Sequence, residues 1–216
     1  TAGFKGNNYK GHEQVVEAIV TQYLKKSDDK QKGLVNIWAD VPYQDLFWLG
    51  NIRELENLLT EIGLTPNTIF GYQRGIENIN KIPHAEFNLL VSPWVGLKNM
   101  KTMEKTLGIP YLHYPVLPVG ATETGKFLRE VGKFANIDEG KVEAVIKKHE
   151  DYFYYLISRY ADLFLENRVI NKQFSVVADA QYSLAITKFL VNDLGLTPAK
   201  QFVTDDTPKE YQEAIK

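Results

Sequence analysis

Residues able to do chemistry are few and scattered in this 216-residue chain. The four histidines, His12, His84, His113 and His149, lie far apart, and none has a second ligand three or four positions on, the spacing that sets two side chains around one metal. Cysteine is absent, which removes disulfides, thiolate ligands and cysteine nucleophiles together. We therefore expect no catalytic residue and no metal ligand in this chain. Gly6-Asn7-Asn8-Tyr9-Lys10-Gly11 matches the first six positions of a phosphate-binding loop, but His12-Glu13 stands where Lys and Ser/Thr are required and no strand precedes it. That segment is expected to be a loop leading into a helix over residues 12–24. The polar groups that remain follow apolar runs: Asp40, Gln44 and Asp45 after the first, Ser92 and Trp94 after the second, Asp179 and Gln181 after the third. They are the candidates for binding, although helix caps and turns use the same residue types.

The elements that must position them repeat one grammar. A short apolar strand feeds an amphipathic helix, the helix ends in glycine, and an apolar residue and a proline lead into another strand. In the first unit the strand is Leu34 to Ile37, and the helix carries Ile52, Leu55, Leu58, Leu59 and Ile62 at the three- and four-residue spacing of one buried stripe. Asn51 with Glu54 predicts a capped start, and Gly63 a left-handed stop. The second unit runs from Phe87–Val91 through Leu97, Met100, Met103 and Leu107 to Gly108-Ile109-Pro110 and the strand Tyr111 to Tyr114. The third runs from a strand Phe174 to Val177 through Leu184, Leu190, Val191 and Leu194 to Gly195 and a strand at Phe202-Val203.

Such βαβ units imply an α/β fold of parallel sheets flanked by helices, with ligands beyond the carboxyl ends of the strands. Between the second and third units the pattern predicts helices over residues 122–135 and 138–168, the latter roughly 45 Å long. We expect one α/β domain over residues 1–116, and the bridging helices with the start of another over 117–216, the long helix bracing both. Phe153, Leu156, Tyr160, Leu163 and Phe164 follow helical spacing and are expected to serve core and interface packing. His149 is expected to have a packing or surface role.

Hydrophobic residues make up 44% and charged residues 24%, a globular balance without a case for disorder. Lys plus Arg number 25 against 27 Asp plus Glu, and no run of like charge offers a surface to nucleic acid. Neither a membrane-length apolar run nor a signal leader is present, so the expected location is cytoplasmic. The chain starts at Thr1 and stops within a helix expected from about Pro208, so we expect a piece of a longer polypeptide.

One set of segments, in one order, carries a resemblance. Phe87-Asn88-Leu89-Leu90-Val91-Ser92-Pro93-Trp94, Gly108-Ile109-Pro110-Tyr111-Leu112, Leu117-Pro118-Val119-Gly120-Ala121-Thr122-Glu123-Thr124 and Phe127-Leu128-Arg129 together resemble nitrogenase component 1. Thr1 to Asn7, Val177-Ala178-Asp179 and Ala185 to Leu190 look like the same family. The resemblance implies the second and the start of the third of three α/β domains, the cluster-binding cysteines lying in a first domain outside this chain. In the α-type subunit it implies a cofactor-holding cysteine where Ser92 stands here. The chain is therefore similar to a β-type partner, from a middle to C-terminal portion, that binds no cluster itself. In the full complex the resemblance implies iron-sulfur clusters, an iron-molybdenum-type cofactor, an α-type partner subunit and an ATP-dependent iron-sulfur reductase, in a hetero-oligomer that reduces a multiply bonded substrate such as dinitrogen. Branches that assemble the cofactor or reduce tetrapyrroles are the alternatives within the family. A two-lobed small-molecule binding module with its cleft at Pro115–Gly120 is the alternative of another class, and a nucleotide-linked dehydrogenase lacks its glycine signature.

Overall fold

The structure, a computed structural model, describes residues 4–160 and 172–215. The chain divides into two compact units, Thr1–Pro115 and Val116–Lys216.

The first unit opens with α1 (Asn8–Ala18), which passes into one π-helical turn (Ile19–Tyr23). Asn7 starts this helix by accepting a hydrogen bond from Lys10 N at 3.0 Å, so it begins four residues before the expected position and absorbs most of the glycine-rich segment. Then follow β1 (Gln31–Trp38), α2 (Trp48–Glu61), β2 (Thr65–Asn67), α3 (Ile76–Lys81), β3 (Ala85–Val91), α4 (Leu97–Leu107) and β4 (Tyr111–Tyr114). The four strands are parallel, in the order β2-β1-β3-β4.

The apolar stripes fall where their spacing put them. Ile52, Leu55, Leu58 and Leu59 of α2 are buried, as are Leu97, Met100, Met103 and Leu107 of α4. Five consecutive residues of β3, Phe87 to Val91, are buried, because helices cover both faces of an inner parallel strand. Gly108 takes φ +68 and closes α4, a conformation that costs an L side chain steric energy. The start of α2 differs from expectation. It lies at Trp48, and Asn51 is already inside the first turn, donating through Nδ2 to Asp45 Oδ2 at 3.2 Å. Asp45 Oδ1 accepts from Phe47 N at 2.7 Å and turns the chain into the helix in its place.

The second unit contains α5 (Gly120–Phe134), α6 (Glu139–Arg159), β5 (Gln173–Phe174), β6 (Val177–Ala178), α7 (Ala180–Asn192), β7 (Thr197–Pro198), β8 (Phe202–Val203) and α8 (Lys209–Ile215). Helices α5 and α6 pack together through Phe127, Leu128, Val131, Val142 and Ile146, all buried. At Gly120 (φ +82) an added Cβ would lie 2.5 Å from Phe189 Cδ2 and 2.6 Å from Asp193 Oδ2. This glycine lets α7 reach the start of α5, where Asp193 Oδ1 accepts from Thr122 N at 2.9 Å.

The third βαβ unit differs from its sequence pattern. The expected strand Phe174 to Val177 is broken into two short strands that pair in separate two-stranded sheets, β5 with β7 and β6 with β8. Val177 is 68% exposed and Phe202 45%, and among the described residues no further strand joins either two-stranded sheet. In α7 the residues that bury are Ala180, Ser183 and Ala185, while Leu184, Leu190 and Val191 are only half-buried. The aromatic residues of α6 join the core of this unit only in part. Phe153 packs edge-on to Phe189, but Leu156 and Tyr160 face outward, as do Tyr152, Tyr154 and Tyr155. Helical spacing marks a common face without saying whether anything covers it. Leu163 and Phe164, and the last part of the expected long helix, lie outside the described residues.

Candidate functional site

Strand order determines where a ligand can reach this kind of sheet. The chain leaves β1 for β2 on one side and returns for β3 on the other, so the loops after β1 and β3 diverge and leave a crevice at their carboxyl ends. A small cavity of about 20 Å³ lies there, lined by Trp38, Ala39 and Asp40 from β1 and its loop, Leu90, Val95 and Gly96 from β3 and its loop, Asn99 and Met100 from α4, His12 and Val16 from α1, and Phe70. Outside it is an open cleft of about 570 Å³, lined by Asn7, Asn8, Val41, Tyr43 and Gln44 among others. His12 and Phe70 belong to both walls, their rings 5.1 Å apart, and so divide the inner cavity from the outer cleft.

Each wall is held in place by hydrogen bonds. Gly96 N donates to Glu13 Oε1 at 3.0 Å, and Asn99 Nδ2 donates to the Glu13 carbonyl at 2.9 Å, tying α4 and its preceding loop to α1. Trp94 is buried edge-on against Tyr9 at 5.6 Å, a second tie between the same segments. Burial lowers the His12 pKa from 6.5 to about 4, so at neutral pH its ring is uncharged. Asp40 is 4% exposed. At the cleft mouth Asn8 Nδ2 donates to Gln44 Oε1 at 2.7 Å, and Tyr43 holds the left-handed φ of +62, rare for an aromatic residue.

Beneath the site runs a feature that the sequence reading missed. Asn67, Asn36 and Asn88 sit side by side in register across β2, β1 and β3. Asn36 Nδ2 donates to Asn88 Oδ1 at 3.0 Å and to the Ile82 carbonyl at 3.1 Å, while Asn67 Nδ2 donates to Asn36 Oδ1 at 2.8 Å. Asn78 of α3 extends the row to Asn67 at 3.1 Å, and Trp38 Nε1 donates to Asn88 Oδ1 at 3.1 Å. Trp38 thus joins this buried network to the cavity wall.

Of the candidates read from sequence, Asp40 lines the cavity and Gln44 the cleft, whereas Asp45 serves the turn before α2. Ser92 directly follows β3, 1% exposed, and its carbonyl accepts from His113 Nε2 at 2.8 Å. Its hydroxyl is buried without a hydrogen-bond partner. Asp179 caps α7 by accepting from Tyr182 N at 2.9 Å, and Gln181 sits half-buried in the first turn of that helix. The open hollow of about 820 Å³ in the second unit is lined by Ser183, Thr187, Lys188, Gln201 and Asp205 among others, and by neither of those two. His12 and Asn99 had no motif to announce them. The one available signal was His12 on an amphipathic helix preceding a strand whose loop carries Asp40.

Comparison with known proteins bears on the whole chain. It is 27% identical over 205 residues to one of the subunits of light-independent protochlorophyllide reductase from Angiopteris evecta, covering 89% of this chain and 39% of that protein. It is 28% identical to the protein of the same name from Staurastrum punctulatum, covering 89% of this chain and 40% of that one. The chain thus spans about two fifths of the length of these relatives. The solved structure "Nitrogenase Cp1 at pH 6.5" shares the fold with a TM-score of 0.68 at 18% identity, over 96% of this chain and 39% of that one. Residues 1–216 match the family described as Nitrogenase component 1 type Oxidoreductase, and the chain belongs to that family.

Proposed function

We propose that this chain is framework from a β-type subunit of a component 1-type reductase, positioning clusters and neighbouring subunits that do the redox chemistry. The observation that carries this reading is Ser92. It stands at the carboxyl end of β3, where the family resemblance implies a cofactor-holding cysteine in α-type subunits. Its hydroxyl is buried, without a hydrogen-bond partner. A serine hydroxyl is a hard donor, un-ionised near neutral pH, whereas iron-sulfur clusters select thiolates. The chain has no cysteine, and no group of three or more His, Cys, Asp or Glu among the described residues could hold a metal ion. The residues present do not fit a cluster, and no redox step is assigned to them.

In this reading the partners are an α-type subunit and an ATP-dependent iron-sulfur reductase, in a hetero-oligomer within the cytoplasm. Among the described residues no helix is long and apolar enough to cross a membrane. Ser92, Trp94, Asp179 and Gln181 then act by shaping strand ends and helix starts where neighbouring chains meet. Within the family, the relatives named as light-independent protochlorophyllide reductase favour reduction of a tetrapyrrole double bond over reduction of dinitrogen.

The framework reading is tested by reconstitution. The purified chain, treated anaerobically with ferrous iron and sulfide and then desalted, is expected to hold no stoichiometric iron and to show no visible iron-sulfur absorbance. Stoichiometric iron would overturn it. For the branch, the full-length protein that carries this chain is assayed with its α-type partner and reductase. Dark turnover of protochlorophyllide is expected, and turnover of dinitrogen alone would sink that assignment.

A further inference from the structure

The small cavity at the carboxyl ends of β1 and β3 has one polar group whose bonding is incomplete. Asn99 of α4 lines it and is 1% exposed. The amide orientation follows from its neighbour: only the nitrogen can donate to the Glu13 carbonyl, which it does at 2.9 Å, so Oδ1 is the end left over. That oxygen is buried and accepts no hydrogen bond from the described residues. Buried acceptors in native proteins are met by protein or by ordered water, because leaving one unmet costs its full desolvation. Size narrows the choice of donor. A volume of about 20 Å³ takes one water molecule, for which roughly 10–15 Å³ suffices. Access narrows it further: the His12 and Phe70 rings, 5.1 Å apart, stand between this cavity and the outer cleft. Water passes such a wall through brief local opening, whereas a larger ligand requires a standing channel.

We propose that this cavity is the binding site of one ordered water molecule, which donates to Asn99 Oδ1 and meets the polar wall of Asp40 and His12 with its remaining bonds. A carboxylate has about four acceptor positions, so Asp40 can take a bond from the water beside the interaction it already makes. The His12 ring, uncharged at neutral pH, carries one N–H and one bare nitrogen whichever tautomer it adopts. Through Asn99 the water is tied to the Glu13 carbonyl, so that α1, α4 and the loop after β1 meet at one point. The inner end of the crevice is then filled by solvent and closed by two rings, which confines any organic ligand to the outer cleft. The site lies wholly in the first unit, and neither the family nor the subunit type is needed to argue it.

Water-to-protein nuclear Overhauser effects on the isotope-labelled chain read the site directly. A long-lived water is expected to give cross-peaks, with the sign of the slowly tumbling protein, at the Asn99 side-chain amide and at the Gly96 amide. Their absence would overturn the proposal, and so would their loss on adding ammonium chloride, which would assign the site to a cation. Val16→Ile separates a bound water from a dry void by the sign of its effect. Val16 lines the cavity and is 1% exposed, so the variant extends one methyl group from the α1 wall. Filling a dry void raises the urea midpoint, whereas displacing a water from Asn99 Oδ1 is expected to lower it by about 0.5 M and to abolish the cross-peaks. A raised midpoint would refute the bound water. If the variant fails to fold, as circular dichroism would reveal, the cross-peaks of the unmodified chain decide alone.

Discussion

The two units use the same strand-helix-strand grammar and reach different states. In the first, β1 and β3 have strand neighbours on both sides and helices over them, so Phe87 and Leu89 are fully buried. In the second, β5 to β8 are two residues each, paired only in twos, and their apolar residues are exposed or half-buried. The sequence of a βαβ unit specifies which residues would face a core, but the core exists only where enough neighbouring strands close around it. A two-stranded parallel pair buries too little surface to be stable alone.

The sharpest way to break this contrast is to remove the same aromatic ring from each unit. Phe87→Ala, in the middle of β3, is expected to cost about 3–5 kcal/mol of unfolding free energy, while Phe202→Ala costs less than about 1. Urea denaturation of both variants checks it, and equal losses would show that the second unit has a core of similar quality.

Next in size is a pH effect specific to the first unit. The folded His12 value, about 4, lies below the ordinary 6.5 because burial penalises the charged ring. Between those values the unfolded chain binds the proton and the folded chain does not. The contribution is therefore whole above pH 6.5, declines as pH falls, and is gone below about 4, a loss of about 3 kcal/mol at most. Urea midpoints measured across that window should fall less steeply in His12→Gln than in the unmodified chain, and parallel curves would contradict it.

Smallest of the three is Gly120→Ala in the second unit. The added Cβ meets Phe189 and Asp193 inside normal contact distance at a positive φ, and about 2 kcal/mol should be lost in the same urea assay. A neutral result would mean that α7 moves away from α5 at little cost, as befits the looser unit.

Much of the first unit was legible because its signals are local. Leu55, Leu58 and Leu59, or Met100 and Met103, declare a buried face by spacing, and Gly63 and Gly108 declare where each helix stops. The asparagine row was not legible, since one asparagine alone reads as a turn or cap, and Asn36 becomes a network only when β2 and β3 arrive in register beside it. His12 was read as a failed phosphate loop, because its burial depends on Phe70, more than fifty residues away in sequence. The spacing of α6 left open which residues reach a core: Leu156 and Tyr160, 38% and 57% exposed, have the same periodicity that buried residues would have. Of the binding candidates, Asp40 and Gln44 could be placed by the strand-end rule, while Asp45 and Asp179 show how often that rule selects caps.

The buried amides of Asn67, Asn36 and Asn88 also constrain how these strands can change over time. Converting one to an apolar residue strands the dipoles of its neighbours in a dry interior, whereas replacing the whole set by well-packed aliphatic side chains removes the penalty altogether. Single steps therefore lead into a valley that only concerted replacement crosses, and three strands that share no sequence neighbourhood are obliged to drift together.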